Sequence, residues 1–439
     1  MPKGWEWCRV RDIAAVKGGK RLPKGVGFSP CRTAHAYIRV TDMKNHSINT
    51  DDLKYISEEV FLQIKNYTIS KDDLYVTIAG TIGVTGEVPT ELDGMNLTEN
   101  AVKITNIQIN KTYLCLIIQS EFVQQQFQDK THQVAMPKLA LERILSTLIP
   151  VCTITTQSAM VSKFAEMDSL INQIREEKEI LAETVSLTKS KILDLAIRGQ
   201  LVPQDPNDEP ASVLLERIRA EKEELIKAGK IKRDKKESII FRGEDNSYYQ
   251  QTGTLIENIN DWNLDDIPIN WELCCLGEIC DYGNCVNVDT KDIDEEAWVL
   301  DLEDIEKDSG KVIHKIRKYE RDSSSTKHLF KKGQVLYSKL RPYLNKVVLA
   351  DEEGFCTSEI LPLNFSNVVE PQYALYYLMS PTFLKYANRC SYGVKMPRLG
   401  TADGRKAVFP LPPFEEQRRI SQHISKIFIE IDNISNMLL

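Results

Sequence analysis

At 439 residues, with 42% hydrophobic and 27% charged residues, the chain is long enough for two or three domains with separate cores, which excludes a disordered or collagen-like polymer. Its longest apolar runs, such as 113–118, are far too short to span a bilayer, and its first residues do not read as a secretion signal. Ten cysteines in that context read as reduced thiols, and the net charge of −7 excludes a uniformly basic protein.

A first globular block runs from about Trp5 to Pro150. Short strands are predicted at 5–10, 36–40, 74–78 and 101–104, the third leading into the loop Gly80-Thr81-Ile82-Gly83. A helix is predicted over 111–128. Lys17, Lys20, Arg21, Lys24 and Arg32 form a basic run without an acid.

A long helix follows, from about Gln157 to Arg198. Its apolar positions Met160, Phe164, Met167, Ile171, Ile174, Leu181, Val185, Ile192 and Leu195 recur by fours and threes, broken by Lys178 and Thr188. That period of 3.5 specifies a coiled coil. Thr155 and Thr156 offer a cap and Gly199 a stop. Asp208 is placed to cap a second helix reaching about Lys227. The polar, Gly/Asn-rich stretch 245–261 reads as linker.

The second block, from Trp271 to Pro413, repeats the first. Trp271-Glu272-Leu273-Cys274 follows Trp5-Glu6-Trp7-Cys8 by 266 residues, and Trp298-Val299 follows Tyr37-Ile38 by 261. Val335-Leu336-Tyr337-Ser338 answers Leu74-Tyr75-Val76-Thr77. Phe383 answers Phe122, and Met396-Pro397-Arg398-Leu399 answers Met136-Pro137-Lys138-Leu139. The seam also returns, as Ile420, Ile424, Ile427, Ile431, Ile434 and Leu438, on a helix about twenty residues shorter than its counterpart. Charge is segregated here too. Ten acids lie within 287–308, and eleven basic residues within 311–346, as expected if some faces meet phosphate and others do not.

Catalytic and cofactor signatures are missing from the sequence: no P-loop, dinucleotide fingerprint, His-Glu-x-x-His or nucleophile elbow occurs. Leu411-Pro412-Pro413-Phe414 imitates an amino-methyltransferase box, but Leu411 cannot hydrogen-bond a target amino group, so it reads as a strand-to-helix turn. Cys274, Cys275, Cys280 and Cys285 lack paired zinc-knuckle spacing, so no metal is expected.

The chain resembles the specificity (S) subunit of type I restriction–modification enzymes. The residues that carry this are Gly4-Trp5-Glu6-Trp7, Gly80-Thr81-Ile82-Gly83, the stretch from Ala196 to Asn207, Asn270-Trp271-Glu272, the stretch from Leu336 to Lys346, and Pro410-Leu411-Pro412-Pro413-Phe414-Glu415-Glu416-Gln417. The resemblance implies an α+β fold: two repeated α/β target recognition domains separated by long antiparallel coiled-coil helices, with an internal pseudo-twofold repeat. It divides the chain into a first recognition domain (1–153), central coiled-coil helices (154–236), a linker (237–270), a second recognition domain (271–413) and a C-terminal coiled-coil helix (414–439). It implies that each domain reads one half of a bipartite double-stranded DNA target. It further implies that two methyltransferase (M) subunits dock on the helices, that restriction (R) subunits join through the complex, and that the chain itself catalyses nothing, holds no cofactor and works in the cytoplasm. A coiled-coil interaction scaffold without DNA readout is the alternative.

Base-reading residues are expected in the basic, Gly-rich loops. In the first block these are Lys20, Arg21, Lys24, Thr81, His132, Gln133 and Lys138. In the second they are Lys339, Arg341, Tyr343, Lys346, Lys395 and Arg398. Subunit contacts are expected at Met160, Phe164, Met167 and Ile171, and at Ile420, Ile424, Ile427 and Ile431.

Overall fold

The computed structural model describes residues 2–129, 138–229, 237–262, 264, 267–321 and 325–438. Contacts divide the chain into two compact units, Met1–Arg175 and Glu176–Leu439. The long helix Ile154–Ala196 belongs to both, and no helix among the described residues is long and apolar enough to cross a membrane.

In the first unit, strand Glu6–Arg9 pairs antiparallel with Leu148–Val151, tying the start of the block to its end. One four-stranded sheet has the order Lys54–Ile56, His35–Ile38, Met95–Leu97, Thr68–Ile69. The other has the order Ala15–Gly18, Ala101–Thr105, Leu74–Thr77, Thr85–Glu87. The turn 98–100 carries the chain from the first sheet to the second. Val76, Val102 and Ile104 alternate onto one face of the second sheet, in one core with Leu114, Ile118, Val123 and Phe127. Burying each such side chain stabilises the fold by roughly 1.5–3 kcal/mol.

The second unit repeats these local arrangements. Glu272–Cys275 pairs with Val408–Leu411 as Glu6–Arg9 pairs with Leu148–Val151. The Asp42 carboxylate caps the Arg39 amide, and Asp304 caps Asp301 in the same way. That cap aligns Ile38 with Leu300, so Trp298-Val299 sits one residue off the register expected from the sequence. Leu139 N–H bonds the Ile78 carbonyl, and Leu399 N–H bonds that of Lys339. The Met136-Pro137 part of that repeat lies outside the described residues. Phe383 answers Val123 rather than Phe122: Val123 and Phe383 are both buried, whereas Phe122 is exposed against Trp7. Side-chain size misled the alignment, because the core accepts either volume at that position.

Several sequence expectations are corrected. The helix over 111–128 is two helices, Lys111–Gln119 and Glu121–Asp129, broken at Ser120, whose ψ of 146° leaves the helical region. In the second unit Pro381 enforces the same break after Ser380. Thr153, not Thr155 or Thr156, caps the long helix, its hydroxyl accepting the Thr156 amide at 3.3 Å. Asp208 caps nothing. The middle helix Ala211–Lys227 starts after Pro210, and Asp208 instead binds the Arg419 guanidinium at 2.5 and 3.2 Å.

The supposed linker is also folded. Ser238–Arg242, Tyr248–Thr252 and Leu255–Asn258 form a three-stranded antiparallel meander. Ile240 and Gln250 point inward from it, and Gln250 donates to the Lys406 carbonyl at 2.7 Å. Two-residue alternation was hidden there by polar side chains on a half-buried sheet.

The segregated charge of the second block is largely spent internally. Lys318 pairs with Glu295, Arg321 with Asp304 and Asp301, and Lys327 with Asp301. Lys315 and Arg317 pair with Glu352. Lys318, Arg321 and Lys327 therefore neutralise the acidic run before them, and Lys315 and Arg317 an acid after them, rather than presenting a face to phosphate.

Within the second unit the last turns of the long helix lie antiparallel to the C-terminal helix Phe414–Leu438. Gln204 binds Glu416 at 2.5 Å, Lys189 binds Asp432, and Ala182 and Asn436 line one cavity. Leu193, Ala196 and Ile197 are the buried residues here, one position past the predicted Ile192 and Leu195. An undistorted helix drifts about 20° per heptad from a 3.5 repeat, which over the five heptads from Met160 amounts to about one residue. Gly199 stops the helix at φ +70°, and a Cβ there would lie 2.3 Å from Pro268. Glu416, wholly buried, also accepts the Trp271 indole N–H at 3.0 Å, and burial pushes its carboxyl above the usual range. The motifs around Gly199, Trp271 and Glu416 are thus one structural junction.

Candidate nucleic-acid interface

Each block gathers part of its predicted set around the turn that joins its two sheets. In the first block the close approach of Gly19 makes this possible, since a Cβ there would stand 2.1 Å from the Thr98 carbonyl oxygen. Lys20 N–H then bonds the Leu97 carbonyl at 2.9 Å. Arg21 Nε donates to Glu99 Oε1 at 2.6 Å. Glu99 also accepts from Thr98 Oγ1 at 3.1 Å and from the Tyr37 hydroxyl at 3.3 Å. Burial alone would raise the Glu99 carboxyl, but the bonds from Arg21 and Thr98 outweigh it and hold it below the usual range. On the other side of the turn, Ile78 and Ala79 amides both bond the Asn100 carbonyl, and Ala79 bridges to Lys138. Thr81 and Lys138 are exposed there. Lys20 lies 5.4 Å from the Tyr67 ring centre, and Lys24 is exposed on a loop with Val26 and Phe28. His132 and Gln133 lie outside the described residues.

In the second block the equivalent turn ends at Glu359. Lys339 N–H bonds the Glu359 carbonyl at 3.0 Å, as Ile78 bonds that of Asn100. The Glu359 carboxylate takes Arg398 through Nε at 3.0 and 3.1 Å and through Nη2 at 2.9 Å. That bond raises the Arg398 pKa further, fixing its charge. Leu340 bridges to Arg398, and Arg341 N–H bonds the Pro397 carbonyl at 2.7 Å. The hairpin bearing Lys395 is therefore stitched to the loop bearing Arg341 and Tyr343.

Arg341 and Asn345 sit at φ +50° and +47° on either side of the turn Pro342–Leu344. The Asn345 amide donates to the Met379 carbonyl at 3.1 Å, which holds the turn in place. Tyr343 projects from its tip, 48% exposed. Lys346 is diverted: its ammonium bonds the Leu302 carbonyl at 2.6 Å inside the block. Glu99 and Glu359 were missed by sequence reasoning, because an acid in a turn looks like ordinary solvation until its arginine is located.

The expected subunit-contact residues separate into two groups. Met160, Phe164, Met167 and Ile171 are exposed along the long helix. Ile427 and Ile431 are half-buried. Ile420 and Ile424 are fully buried in the core of the second unit with Leu193, Ala196 and Tyr373, and so are closed to another subunit.

Two repeated α/β blocks, each with basic residues near one turn and each followed by a long helix, make a duplicated architecture. The sequence pattern of the type I restriction modification DNA specificity domain matches residues 2–183 and 268–438, and the chain belongs to that family. It is 30% identical over 260 residues to the EcoAI specificity subunit of a type I restriction enzyme from Escherichia coli, and 31% identical over 256 residues to the EcoEI specificity subunit from the same organism. Each match covers 56% of this chain and 40% of the relative's length.

Two solved structures share the fold. One, from work on complex assembly and conformational transition of the type I R-M system, superposes with a TM-score of 0.56. The other, the HsdS subunit from Thermoanaerobacter tengcongensis, gives 0.50. Both are 15% identical, and the likeness covers all of this chain and 93% of each.

Proposed function

We propose that the chain is the DNA-specificity subunit of a type I restriction–modification enzyme, each block reading one half of a bipartite duplex target. The observation that carries this is a repeated scaffold with unrepeated loops. Leu74–Thr77 and Val335–Ser338 are matching strands, but one continues into Gly80-Thr81-Ile82-Gly83 and the other into Arg341-Pro342-Tyr343-Leu344-Asn345. Two different half-sites require that combination of common frame and different side chains.

In this reading Lys20, Lys24, Lys138, Lys339 and Lys395 meet phosphate, and Arg21, Arg341, Arg398, Thr81 and Tyr343 approach base edges. The two long helices form an antiparallel coiled coil that relates the blocks by a pseudo-twofold and carries two methyltransferase subunits. Restriction subunits join through that complex. The chain contributes address rather than chemistry, and the enzyme works in the cytoplasm.

The test is to express the chain with its methyltransferase subunit in a host and sequence the methylated sites. A single bipartite motif with a fixed spacer is expected. Duplex affinity of the assembled complex should fall steeply with salt. A chain that assembles with partner proteins but shows neither duplex affinity nor a motif is instead an interaction scaffold.

A further inference from the structure

Glu99 and Glu359 are out of place on a surface that approaches phosphate, because a carboxylate there repels the backbone. Each block nevertheless puts one in the turn between its sheets, and each holds an arginine from a distant part of the chain. The two arginines are not repeats of each other. Arg21 follows the strand Ala15–Gly18, whereas Arg398 occupies the position that is Lys138 in the first block. The Glu359 carbonyl takes the place of that of Asn100, so neither the acids nor the arginines are repeats, and an acid–arginine pair has been built twice at this turn.

We infer that Glu99 and Glu359 are positioning residues for base readout, each fixing one arginine so that its remaining N–H groups face a guanine edge. This rests on the DNA-specificity reading. Glu359 engages Nε and Nη2 of Arg398, and the Met396 carbonyl accepts from Nη1 at 3.3 Å. Each terminal nitrogen carries two N–H groups, so one on each is left beyond these bonds. Two N–H groups in one plane match the O6 and N7 acceptors of guanine. The carboxylate removes rotamer freedom that the arginine would otherwise lose on binding. Arg21 is held through Nε alone, which leaves both of its terminal nitrogens toward solvent, with the side chain 79% exposed.

The experiment uses the full chain with its methyltransferase subunit and reads the methylated motif by sequencing. Glu359→Gln is expected to relax one guanine position in one half-site, with about tenfold less discrimination. The other half-site, the spacer and the melting temperature stay unchanged. Arg398→Lys should relax the same position, and Glu99→Gln one position in the opposite half-site. A purely structural pair would lower the melting temperature and leave every motif position intact, and that result overturns the inference. If Glu359→Gln does not fold, Glu99→Gln decides, because its exposed arginine holds little of the core. A wild-type complex that methylates no bipartite site removes the DNA reading and this inference together.

Discussion

Gln157 and Gln417, 260 residues apart, make the same two hydrogen bonds at the start of the two long helices. Each side-chain oxygen accepts a backbone amide from the cap of an earlier helix of its block, Asn110 at 2.9 Å or Glu370 at 2.8 Å. Each side-chain nitrogen donates to a carbonyl five residues back, that of Cys152 at 2.7 Å or Pro412 at 3.0 Å. Both glutamines are buried, so these bonds fix each helix to its own block.

Replacing Gln417 with Met should therefore strand a buried amide and two carbonyls, those of Pro412 and Val368. The expected cost is about 2–4 kcal/mol in the second unit, and somewhat less for Gln157→Met in the first. Hydrogen exchange during urea titration, read separately for the two units, checks this. A loss confined to one variant would show that the repeated bonds do not bear equal load.

Arg341 occupies the left-handed region where its counterpart Gly80, at φ +79°, sits without a Cβ. Arg341→Gly and Arg341→Ala both delete the side chain, but only glycine relieves the backbone. The glycine variant should be more stable than the alanine variant by about 1 kcal/mol. Both should weaken duplex binding by about 1–3 kcal/mol. Unchanged affinity together with an unchanged methylated motif would remove Arg341 from the base-reading set.

Phe164 is 54% exposed on the long helix, in line with exposed Met160, Met167 and Ile171. Phe164→Asp should leave the unfolding free energy of the isolated chain within about 0.5 kcal/mol of wild type. It should prevent assembly with the methyltransferase subunit, because an apolar stripe of this kind marks a protein contact. Size-exclusion chromatography of the co-expressed pair reads the outcome, and a full-sized complex counts against that face.

The long helix has 43 residues, about 65 Å. The Lys189–Asp432 pair and the cavity lined by Ala182 and Asn436 both lie after Ile180, so an insertion between Glu179 and Ile180 leaves that pair in place. Four inserted residues add about 6 Å and a net turn of about 40°. Two base pairs add about 6.8 Å and roughly 70°. Seven residues match three base pairs in length but turn about −20°, whereas the duplex turns over 100°. The four-residue insertion should give an active enzyme with a spacer longer by one or two base pairs. An active enzyme with its original spacer would show that the helix does not set that distance.

The sequence by itself determined the repeat, the two long helices and the turn at Leu411-Pro412-Pro413-Phe414, because heptad spacing, proline and paired tryptophans act locally. It also placed Lys20, Thr81, Arg341 and Lys395 outside helices and strands, as the structure has them. Tertiary structure alone decided which charges face outward. Lys318, Arg321 and Lys327 find acids across neighbouring segments, Lys346 finds a carbonyl, and Ile420 and Ile424 enter a core rather than a subunit interface. It also brought Glu99 to Arg21, 78 positions away, and Glu359 to Arg398, 39 away. Helical and strand periodicities report only which face of one element is apolar. They carry no information about which distant side chain will neutralise a charge, since that depends on how separate elements pack.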